Sequence, residues 1–272
     1  MRSFRIWALL SLLAVASGLE ASEHRGLGEV RQRGYLRICA DPTNPPFSSS
    51  DPAAPGFEVE LATLVAREIG VEARFHWHST FVRPLRPLRE GACDLFMGLP
   101  PDERFTEGNP WITVSRPYYT MSHAIVAKRE AEIRGLADLA GKRVAIERAG
   151  VADFFLYDFG RGTVRGIYRK QEEAFRAVTA GEAPAALLWL PVAAWLARRA
   201  PDVGVIPVSD SRLEFPIGAG VRRRDADLAT AVDSALGRLR EQGKVQEILT
   251  RYGAVGRPSA RRQRGWVVLA QA

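Results

Sequence analysis

The sequence predicts an α/β protein made of two units, each a mainly parallel sheet covered by helices. Short apolar runs with the length of buried strands alternate along the chain with segments whose apolar residues recur at helical spacing. This alternation pauses near residue 123 and then restarts. The chain has 272 residues, which is enough for two units of about 100 residues, each with its own core.

The first unit begins with a strand, after which helices and strands alternate. Its first helix is predicted from apolar residues at positions 59, 61, 64, 65 and 69. The second helix is delayed by Pro84 and Pro87, because proline interrupts a helix. The last strand is an apolar run, which predicts burial on both faces. The predicted elements are a strand over 34–40, a helix over 57–69, a strand over 71–78, a helix over 83–90 and a strand over 94–98.

The second unit repeats this rhythm, and a final segment follows it. The second unit is predicted to contain strands over 124–127, 143–146, 164–168, 185–189 and 203–207, a helical turn over 136–139, and helices over 151–159, 171–180 and 191–200. The final segment is predicted to contain a strand over 217–221 and helices over 225–242 and 243–252. We expect this segment to return to the first unit. The predicted lobes are therefore 34–122 plus 217–253 for lobe 1 and 123–216 for lobe 2.

The two ends of the chain have separate features. Two arginines, an apolar run of about 11 residues and a group of small residues are typical of a secretory signal peptide, which we assign to residues 1–21. The run is short for a membrane span, which needs about 20 residues. We therefore expect the mature chain in the periplasm. The predicted tail over 254–272 is basic, with arginines at positions 257, 261, 262 and 264.

Composition and motifs exclude several classes of protein. The charge of +7 is concentrated in the tail, so it does not favour nucleic-acid binding. The composition, 46% hydrophobic and 25% charged, is typical of globular proteins. The sequence has no nucleophile elbow, phosphate-binding loop or zinc-protease helix motif. His76 and His78 share a face of a predicted strand, but no third ligand cluster accompanies them, and a strand-surface position is favoured.

The two cysteines leave an open question. An oxidising compartment favours a disulfide between Cys39 and Cys93. Cys39 ends one predicted strand and Cys93 begins another, however, so in-register parallel pairing of these strands would hold the sulfurs too far apart. Both alternatives stay open from the sequence.

A set of motifs in a fixed order resembles the periplasmic solute-binding proteins of family 3, the polar amino-acid type associated with ABC transporters. The resemblance covers residues 34–253. Its motifs are Leu-Arg-Ile-Cys-Ala-Asp at 36–41, Pro-Pro-Phe at 45–47, Gly-Phe-Glu-Val-Glu-Leu at 56–61, Gly-Ala-Cys-Asp-Leu-Phe-Met-Gly at 91–98, Glu-Arg at 103–104, Arg-Pro-Tyr-Tyr at 116–119, Leu-Ala-Asp-Leu-Ala-Gly-Lys-Arg-Val-Ala at 136–145 and Glu-Glu-Ala at 172–174.

This resemblance implies a type II periplasmic binding protein, whose two lobes are joined by two crossover strands and close on a solute. We expect the crossovers near 121–126 and 213–217. The expected function is non-catalytic capture of a small polar or carboxylated solute, without metal or cofactor, by a monomer. Its partner would be an inner-membrane ABC permease, and nucleic acid is not expected as a partner.

The resemblance also implies the ligand-binding residues, and one of them departs from the family. Arg104 matches the arginine that grips a carboxylate, but it follows a shortened, proline-containing loop. Trp189 stands where amino-acid binders place an aspartate for the ammonium group, so a standard α-amino acid is a poor candidate ligand. The full predicted set is Asp41, Phe47, Glu58, Gly98, Arg104, Tyr118, Gly150 and Trp189.

Two alternative functions follow from the same resemblance. The tryptophan and proline near 189, with the motifs around 39–44 and 93–94, resemble a branch associated with periplasmic quinoprotein dehydrogenases of the methanol type. A member of that branch would act as an accessory protein of the dehydrogenase. The second alternative is a periplasmic cyclohexadienyl-type dehydratase, for which Asp41, Glu58 and Glu147 are the available acid and base candidates.

Overall fold

The computed structural model describes residues 26–80, 83–160 and 162–255. The predicted signal peptide, and the tail beyond residue 255, lie outside these residues. The α-helices are α1 (Gly26–Arg33), α2 (Phe57–Ile69), α3 (Arg86–Glu90), α4 (Glu103–Gly108), α5 (Val151–Phe159), α6 (Gln171–Thr179), α7 (Leu190–Ala197), α8 (Ala226–Glu241) and α9 (Lys244–Arg251). None of the described helices has the length and apolar character needed to cross a membrane.

The strands fall into two groups joined by long connections. They are β1 (Tyr35–Ala40), β2 (Thr43–Asn44), β3 (Ser48–Ser49), β4 (Glu72–Trp77), β5 (Leu95–Leu99), β6 (Ile112–Val114), β7 (Tyr119–Lys128), β8 (Arg143–Glu147), β9 (Val164–Tyr168), β10 (Ala185–Trp189), β11 (Val203–Pro207) and β12 (Glu214–Arg222). In the sheet they follow the order β4-β1-β5-β12-β7-β10-β8-β9, with β6 paired to β12 and β11 to β7. Short 3₁₀ turns occur at Arg129–Ala131, Leu136–Leu139 and Ser211–Leu213.

The two halves of this sheet are joined by β7 and β12. We call the half around β1, β4 and β5 lobe 1, and the half around β8, β9 and β10 lobe 2. Within each half the neighbours are parallel, as in β1 with β4 and β8 with β9. β7 and β12 are antiparallel to each other over Tyr119–Ser122 and Glu214–Ile217, and each continues into a lobe. β7 and β12 are thus the two crossover strands that the sequence predicts. The residue bounds given above for the two lobes remain predictions.

Each of the two lobes has its own hydrophobic core, which explains why the chain forms two lobes. In lobe 1, α2 and α8 pack together and cover one face of the sheet, with Phe57 and Leu36 fully buried between them. In lobe 2, successive residues of one strand serve two different cores. Leu188 of β10 lies in the core that includes α6, whereas Leu187 lies in the core that includes α5. The alternation of side chains along a strand thus gives lobe 2 a core on each face of its sheet.

One predicted strand is less buried than its apolar run suggested. Leu95, Met97 and Leu99 of β5 are buried, but Phe96 and Gly98 are only half-buried. Phe96 and Gly98 line the cavity described below. The prediction of burial on both faces is therefore wrong, because one face of this strand borders a binding cleft instead of a helix.

A disulfide joins Cys39 and Cys93, whose Cα atoms are 5.5 Å apart. Cys93 does not begin a strand, because β5 starts at Leu95. It lies in the turn after α3, where its N–H donates to the carbonyl of Pro87. The geometric argument against the bond assumed that Cys93 was part of an in-register strand, and that assumption is wrong.

A buried ion network lies beside this disulfide. The carboxylate of Asp94 accepts hydrogen bonds from the guanidinium groups of Arg33, Arg37 and Arg222. Arg222 also bonds Asp225 at 2.7 Å and donates to the carbonyl of Leu88. Because Asp94 precedes β5, Arg37 lies on β1 and Arg222 ends β12, the network ties neighbouring strands of lobe 1 together.

Candidate functional site

A cavity of about 300 Å³ lies between the two lobes. It is formed where β1, β5, β8 and β10 end, which is the edge at which open α/β sheets bind ligands. Lobe 1 contributes the loops after β1 and β4 and the start of α2, and lobe 2 contributes the ends of β8 and β10. Its polar and aromatic lining includes Asp41, Asn44, Phe47, Ser48, Phe75, Glu58, Thr80 and Phe96 from lobe 1, and Glu147, Gln171 and Trp189 from lobe 2.

Five of the eight residues predicted to bind ligand line this cavity. They are Asp41, Phe47, Glu58, Gly98 and Trp189. Tyr118 is buried and does not line the cavity itself, but its hydroxyl group donates to Glu58, which does. Arg104 is exposed on α4, and neither Arg104 nor Gly150 lines the cavity. The ligand roles of all eight stay predictions.

Asp41 is held rigidly at the end of β1. Its two carboxylate oxygens accept from the backbone and hydroxyl groups of Thr43, at 2.8 and 3.1 Å, and of Thr80, at 2.7 and 2.8 Å. Burial alone would raise the pKa of Asp41, but these hydrogen bonds outweigh it and lower the pKa below its usual value. Asp41 is therefore a fixed negative charge at neutral pH.

Glu58, near the start of α2, lines the cavity and contacts Tyr118. Its Oε1 atom accepts from the Tyr118 hydroxyl at 3.2 Å. Gly98 has a φ of +80°, and a Cβ atom there would lie 2.5 Å from Glu58 Oε1, so a glycine makes room for the carboxyl group. Burial raises the pKa of Glu58 to about 7, against the opposing effect of the Tyr118 hydrogen bond. Near neutral pH, Glu58 therefore exists in both protonation states.

In lobe 2, Gln171 connects the two residues that face the cavity. Its Oε1 atom accepts the backbone N–H of Trp189 at 2.9 Å, and its Nε2 atom donates to Glu147 Oε2 at 3.1 Å. Burial raises the pKa of Glu147, partly opposed by this hydrogen bond. Glu147 ends β8, Trp189 ends β10, and Gln171 begins α6, so three different elements converge here.

Trp189 also contacts both crossovers. Its ring lies 3.9 Å from the ring of His123 on β7, and 5.9 Å from that of Phe215 on β12 in an edge-to-face arrangement. His123 is buried, and its Nδ1 atom lies 2.9 Å from the carbonyl oxygen of Leu213. Burial lowers the pKa of His123 to about 4, so its imidazole is neutral at pH 7. The indole thus lies between the cavity and the strands that join the lobes.

The cavity, which we call the inner cavity, adjoins a second one of about 470 Å³, which we call the outer cavity. The two share Asp41, Phe47, Glu147 and other lining residues. Arg169 and Lys170 line only the outer cavity, and both are exposed. With Glu172, these two residues give the outer cavity charged side chains of both signs, whereas the ionisable groups that line the inner cavity in the described part of the chain are all carboxyl groups.

Some of these residues were not predicted as ligand contacts. Glu147 was predicted only as an acid or base candidate, and Gln171 and Thr80 were not singled out. The end of a predicted parallel strand is a general signal for a binding position, and Glu147 directly follows the predicted strand over 143–146. Gln171 and Thr80 carry no comparable signal, because each reaches the cavity through a loop or helix start whose position depends on the tertiary fold.

The histidine pair lies on the surface of β4 and at its end. The His76 ring is exposed, and His78 Nε2 lies 3.0 Å from the carbonyl oxygen of Pro84. Over the described residues, no group of three or more His, Cys, Asp or Glu side chains is arranged to hold a metal ion.

The chain matches one protein family over nearly its whole described length. The family model for bacterial extracellular solute-binding proteins, family 3, matches residues 36–255. Protein MoxJ of Methylorubrum extorquens is 26% identical, over 90% of this chain and 91% of MoxJ. The L-cystine-binding protein TcyJ of Escherichia coli K12 is 28% identical, over 90% of this chain and 94% of TcyJ.

Solved structures show the same fold. An ancestral cationic amino acid solute-binding protein, AncCDT-1, superposes with a TM-score of 0.72 at 26% identity, covering 83% of this chain and 98% of its own. A second structure of AncCDT-1 is described as that of a precursor of cyclohexadienyl dehydratase, with a TM-score of 0.65. The P235GK mutant of the arginine-binding protein from T. maritima gives a TM-score of 0.62 at 26% identity, covering 83% of this chain and 98% of its own.

Proposed function

The chain belongs to the bacterial extracellular solute-binding proteins, family 3, and we propose that it captures a small polar solute by closing its two lobes around it. The cavity between the lobes supports this proposal, because it takes polar side chains from both of them. A solute that contacts both lobes favours the closed arrangement in proportion to the extra contacts it makes there. We propose no bond-making step for this site.

The solute is proposed to be something other than a standard α-amino acid. Trp189 stands where the family places an ammonium-binding aspartate, and Arg104, the expected carboxylate-binding residue, is exposed on α4. The sequence leads us to expect either a polar or a carboxylated solute. The lining of the cavity favours a polar solute without a carboxylate. We also propose that the protein is exported to the periplasm as a monomer, with residues 1–21 removed, and that it delivers the solute to an ABC permease.

A thermal-shift screen tests solute capture. With polyols, amines, amino acids and carboxylic acids as probes, we expect at least one compound, at about 100 times its Kd, to raise the melting temperature by about 5 °C or more. The reason is that a ligand bound only by the folded state stabilises that state. Small-angle X-ray scattering should then show a smaller radius of gyration with that compound.

Two tryptophan variants provide the control for this screen. Trp189→Ala should abolish most of the shift, because Trp189 lines the cavity. Trp77→Ala should retain it, because Trp77 is a partly exposed residue of β4 that does not line the inner cavity. An equal loss of the shift in both variants would contradict binding between the lobes.

The second candidate function is that of an accessory protein of a periplasmic quinoprotein dehydrogenase. One structural observation favours it: lobe 2 exposes apolar side chains on α5 and on β9, the last strand of the sheet order. Phe154 is 61% exposed, Tyr157 is 71% exposed and Ile167 is 49% exposed. Exposed aromatic groups near a sheet edge are typical of protein-binding surfaces.

Gel filtration with a purified periplasmic quinoprotein dehydrogenase of the methanol type tests this candidate. If the chain is an accessory protein, the two should co-elute, and the double variant Phe154→Ser with Tyr157→Ser should weaken their affinity at least tenfold. Trp77→Ser, an exposed aromatic residue on lobe 1, is the matched control and should leave co-elution unchanged. Independent elution of the wild-type chain would count against the accessory role.

A dehydratase is the weakest of the three functions. Asp41, Glu58 and Glu147, the acid and base candidates, do line one cavity. A prephenate-like substrate carries carboxylates of its own, however, and these would enter a cavity whose described lining lacks arginine and lysine. Like charges in a confined site repel one another, so we do not propose this reaction.

A further inference from the structure

Building on the proposed capture of a solute, we propose that the solute is a small organic cation without a carboxylate group, and that Glu147 holds its positive group in lobe 2. The inference concerns the chemical class of the solute and the position of its main charge contact. It separates this chain from relatives whose names describe arginine binding, because arginine carries a carboxylate as well as a cation.

The first support is the sign of the charge in the inner cavity. Asp41 and Glu58 face it from lobe 1, and Glu147 faces it from lobe 2. When they are ionised, carboxylates on both sides of a cleft repel one another as the lobes approach. A cation between them neutralises that repulsion, so it would bind better to the closed form than to the open one, which is the requirement for capture by closure.

The second support is the way Glu147 is held. Gln171 uses its amide oxygen for the N–H of Trp189, so its amide nitrogen must point the other way, toward Glu147 Oε2. Glu147 Oε1 makes no hydrogen bond to any other described residue. Gln171 thus fixes one oxygen of the carboxyl group and leaves the second available to a donor in the cavity. A preorganised acceptor of this kind lowers the entropic cost of binding.

The third support is the aromatic neighbour of Glu147. β8 and β10 are parallel neighbours, so their ends lie side by side, and Trp189 lines the same cavity as Glu147. An indole face attracts ammonium and guanidinium groups. His123 contacts Trp189 in a tilted ring arrangement and is neutral at pH 7, so it adds no positive charge that would oppose a cation. The end of β8 thus offers a carboxylate, and the end of β10 an indole, to the same cavity.

The solute is proposed to have no carboxylate because neither arginine nor lysine is part of the described lining of the inner cavity. Arg104 is exposed and does not line the cavity, and Arg169 and Lys170 line only the outer cavity, together with Glu172. An α-carboxylate in the inner cavity would lose its hydration without gaining a guanidinium partner there. A buried charge without such a partner is costly, so the decarboxylated analogue of an amino acid should bind more tightly than the amino acid itself.

Isothermal titration calorimetry with agmatine and L-arginine tests the proposal, because agmatine is L-arginine without its carboxylate. We expect agmatine to bind the mature wild-type chain at least tenfold more tightly than L-arginine. Glu147→Gln should weaken agmatine binding at least tenfold, since it removes the charge and keeps the shape. Glu182→Gln, an exposed site elsewhere on lobe 2, is the matched control and should change the affinity less than twofold.

A second variant keeps the test decisive if Glu147→Gln fails to fold. Gln171→Met preserves side-chain length but releases Glu147, and it should weaken agmatine binding about threefold to tenfold. Equal or tighter binding of L-arginine, or tight binding of glutarate, would overturn the cation proposal while leaving solute capture intact. If none of these probes binds, the cation proposal is also wrong, and solute capture is then decided by the separate thermal-shift screen, whose probes include uncharged polyols.

Discussion

Replacing Asp94 with alanine is expected to lower the free energy of unfolding by about 3–5 kcal/mol. Asp94 is almost fully buried and accepts hydrogen bonds from three arginines, at 2.7 Å from Arg37 and 3.1 Å from Arg222. Removing it leaves Arg222, whose side chain is only 9% exposed, with Asp225 as its remaining acidic partner. Three arginines that are buried or half-buried then lose a shared buried carboxylate, which is more costly than the loss of an exposed pair.

Chemical denaturation measures this loss, and Asp233→Ala is the matched control. Asp233 pairs with Arg116, whose side chain is 69% exposed, so its loss should cost less than about 1 kcal/mol. A similar cost for the two variants would show that the buried network adds no more stability than a surface pair.

The same network predicts a dependence on pH. Burial would raise the pKa of Asp94, but the hydrogen bonds and charges of Arg37 and Arg33 outweigh it and hold the pKa below its usual value. Because the folded pKa lies below the unfolded pKa of about 4, the stabilisation is present above that pH and is lost as the pH falls through the folded value. The unfolding free energies of wild type and the Asp94→Ala variant should therefore converge in acid.

Loss of the Cys39–Cys93 disulfide is expected to lower the free energy of unfolding by about 4 kcal/mol, which is similar to the effect of Asp94→Ala. The two cysteines are 54 residues apart, so the bond closes a long loop and restricts the unfolded chain. Both positions are buried, and the double variant Cys39→Ala with Cys93→Ala avoids placing a hydroxyl group there. Thermal unfolding with and without a reductant measures the effect.

The reductant provides the internal control for this prediction. It should lower the melting temperature of the wild-type chain and leave that of the double-alanine variant unchanged. If reduction leaves the wild-type melting temperature unaltered, the bond makes no net contribution to stability, and the loop-closure argument does not apply to this protein.

The strongly periodic elements could be predicted from the sequence with accurate limits. The helix over 57–69 and the strands over 164–168, 185–189 and 203–207 begin and end where the sequence places them. Each has a clear apolar period and ends near glycine, proline or a polar loop. In the C-terminal segment, α8 packs on α2.

The short elements could not be predicted, since tertiary contacts form them. β6 has three residues and exists as a strand through its pairing with β12. α1 is a polar helix whose Leu27 N–H is held by Asp227 from the other end of the chain. α4 depends on Asp102, which caps it by accepting from the N–H of Phe105, in a segment without an apolar stripe.

The sequence could predict those site residues that follow the end of a parallel strand. It could not predict those whose position depends on the path of a loop or on a contact between distant side chains. Asp41 and Trp189 each lie at the end of a parallel strand, and both line the cavity. Arg104 depends on the path of the loop that contains Pro100 and Pro101, and sequence spacing does not determine that path. Glu147 acquires its proposed role from Gln171, which comes 24 residues later, and such a contact is not visible in the linear sequence.

The order in which the chain is made has a consequence for the two lobes. The cores of lobe 2 are built from residues 124–213 without interruption, whereas the core of lobe 1 combines residues 30–119 with residues 217–254. During synthesis, lobe 2 is therefore the first to possess all of its core, although the segments of lobe 1 emerge earlier. Until β12 arrives, β5 presents an open sheet edge, which is a hazard for aggregation. The newly made chain is thus most prone to aggregation in the interval before the segment that contains β12 is released.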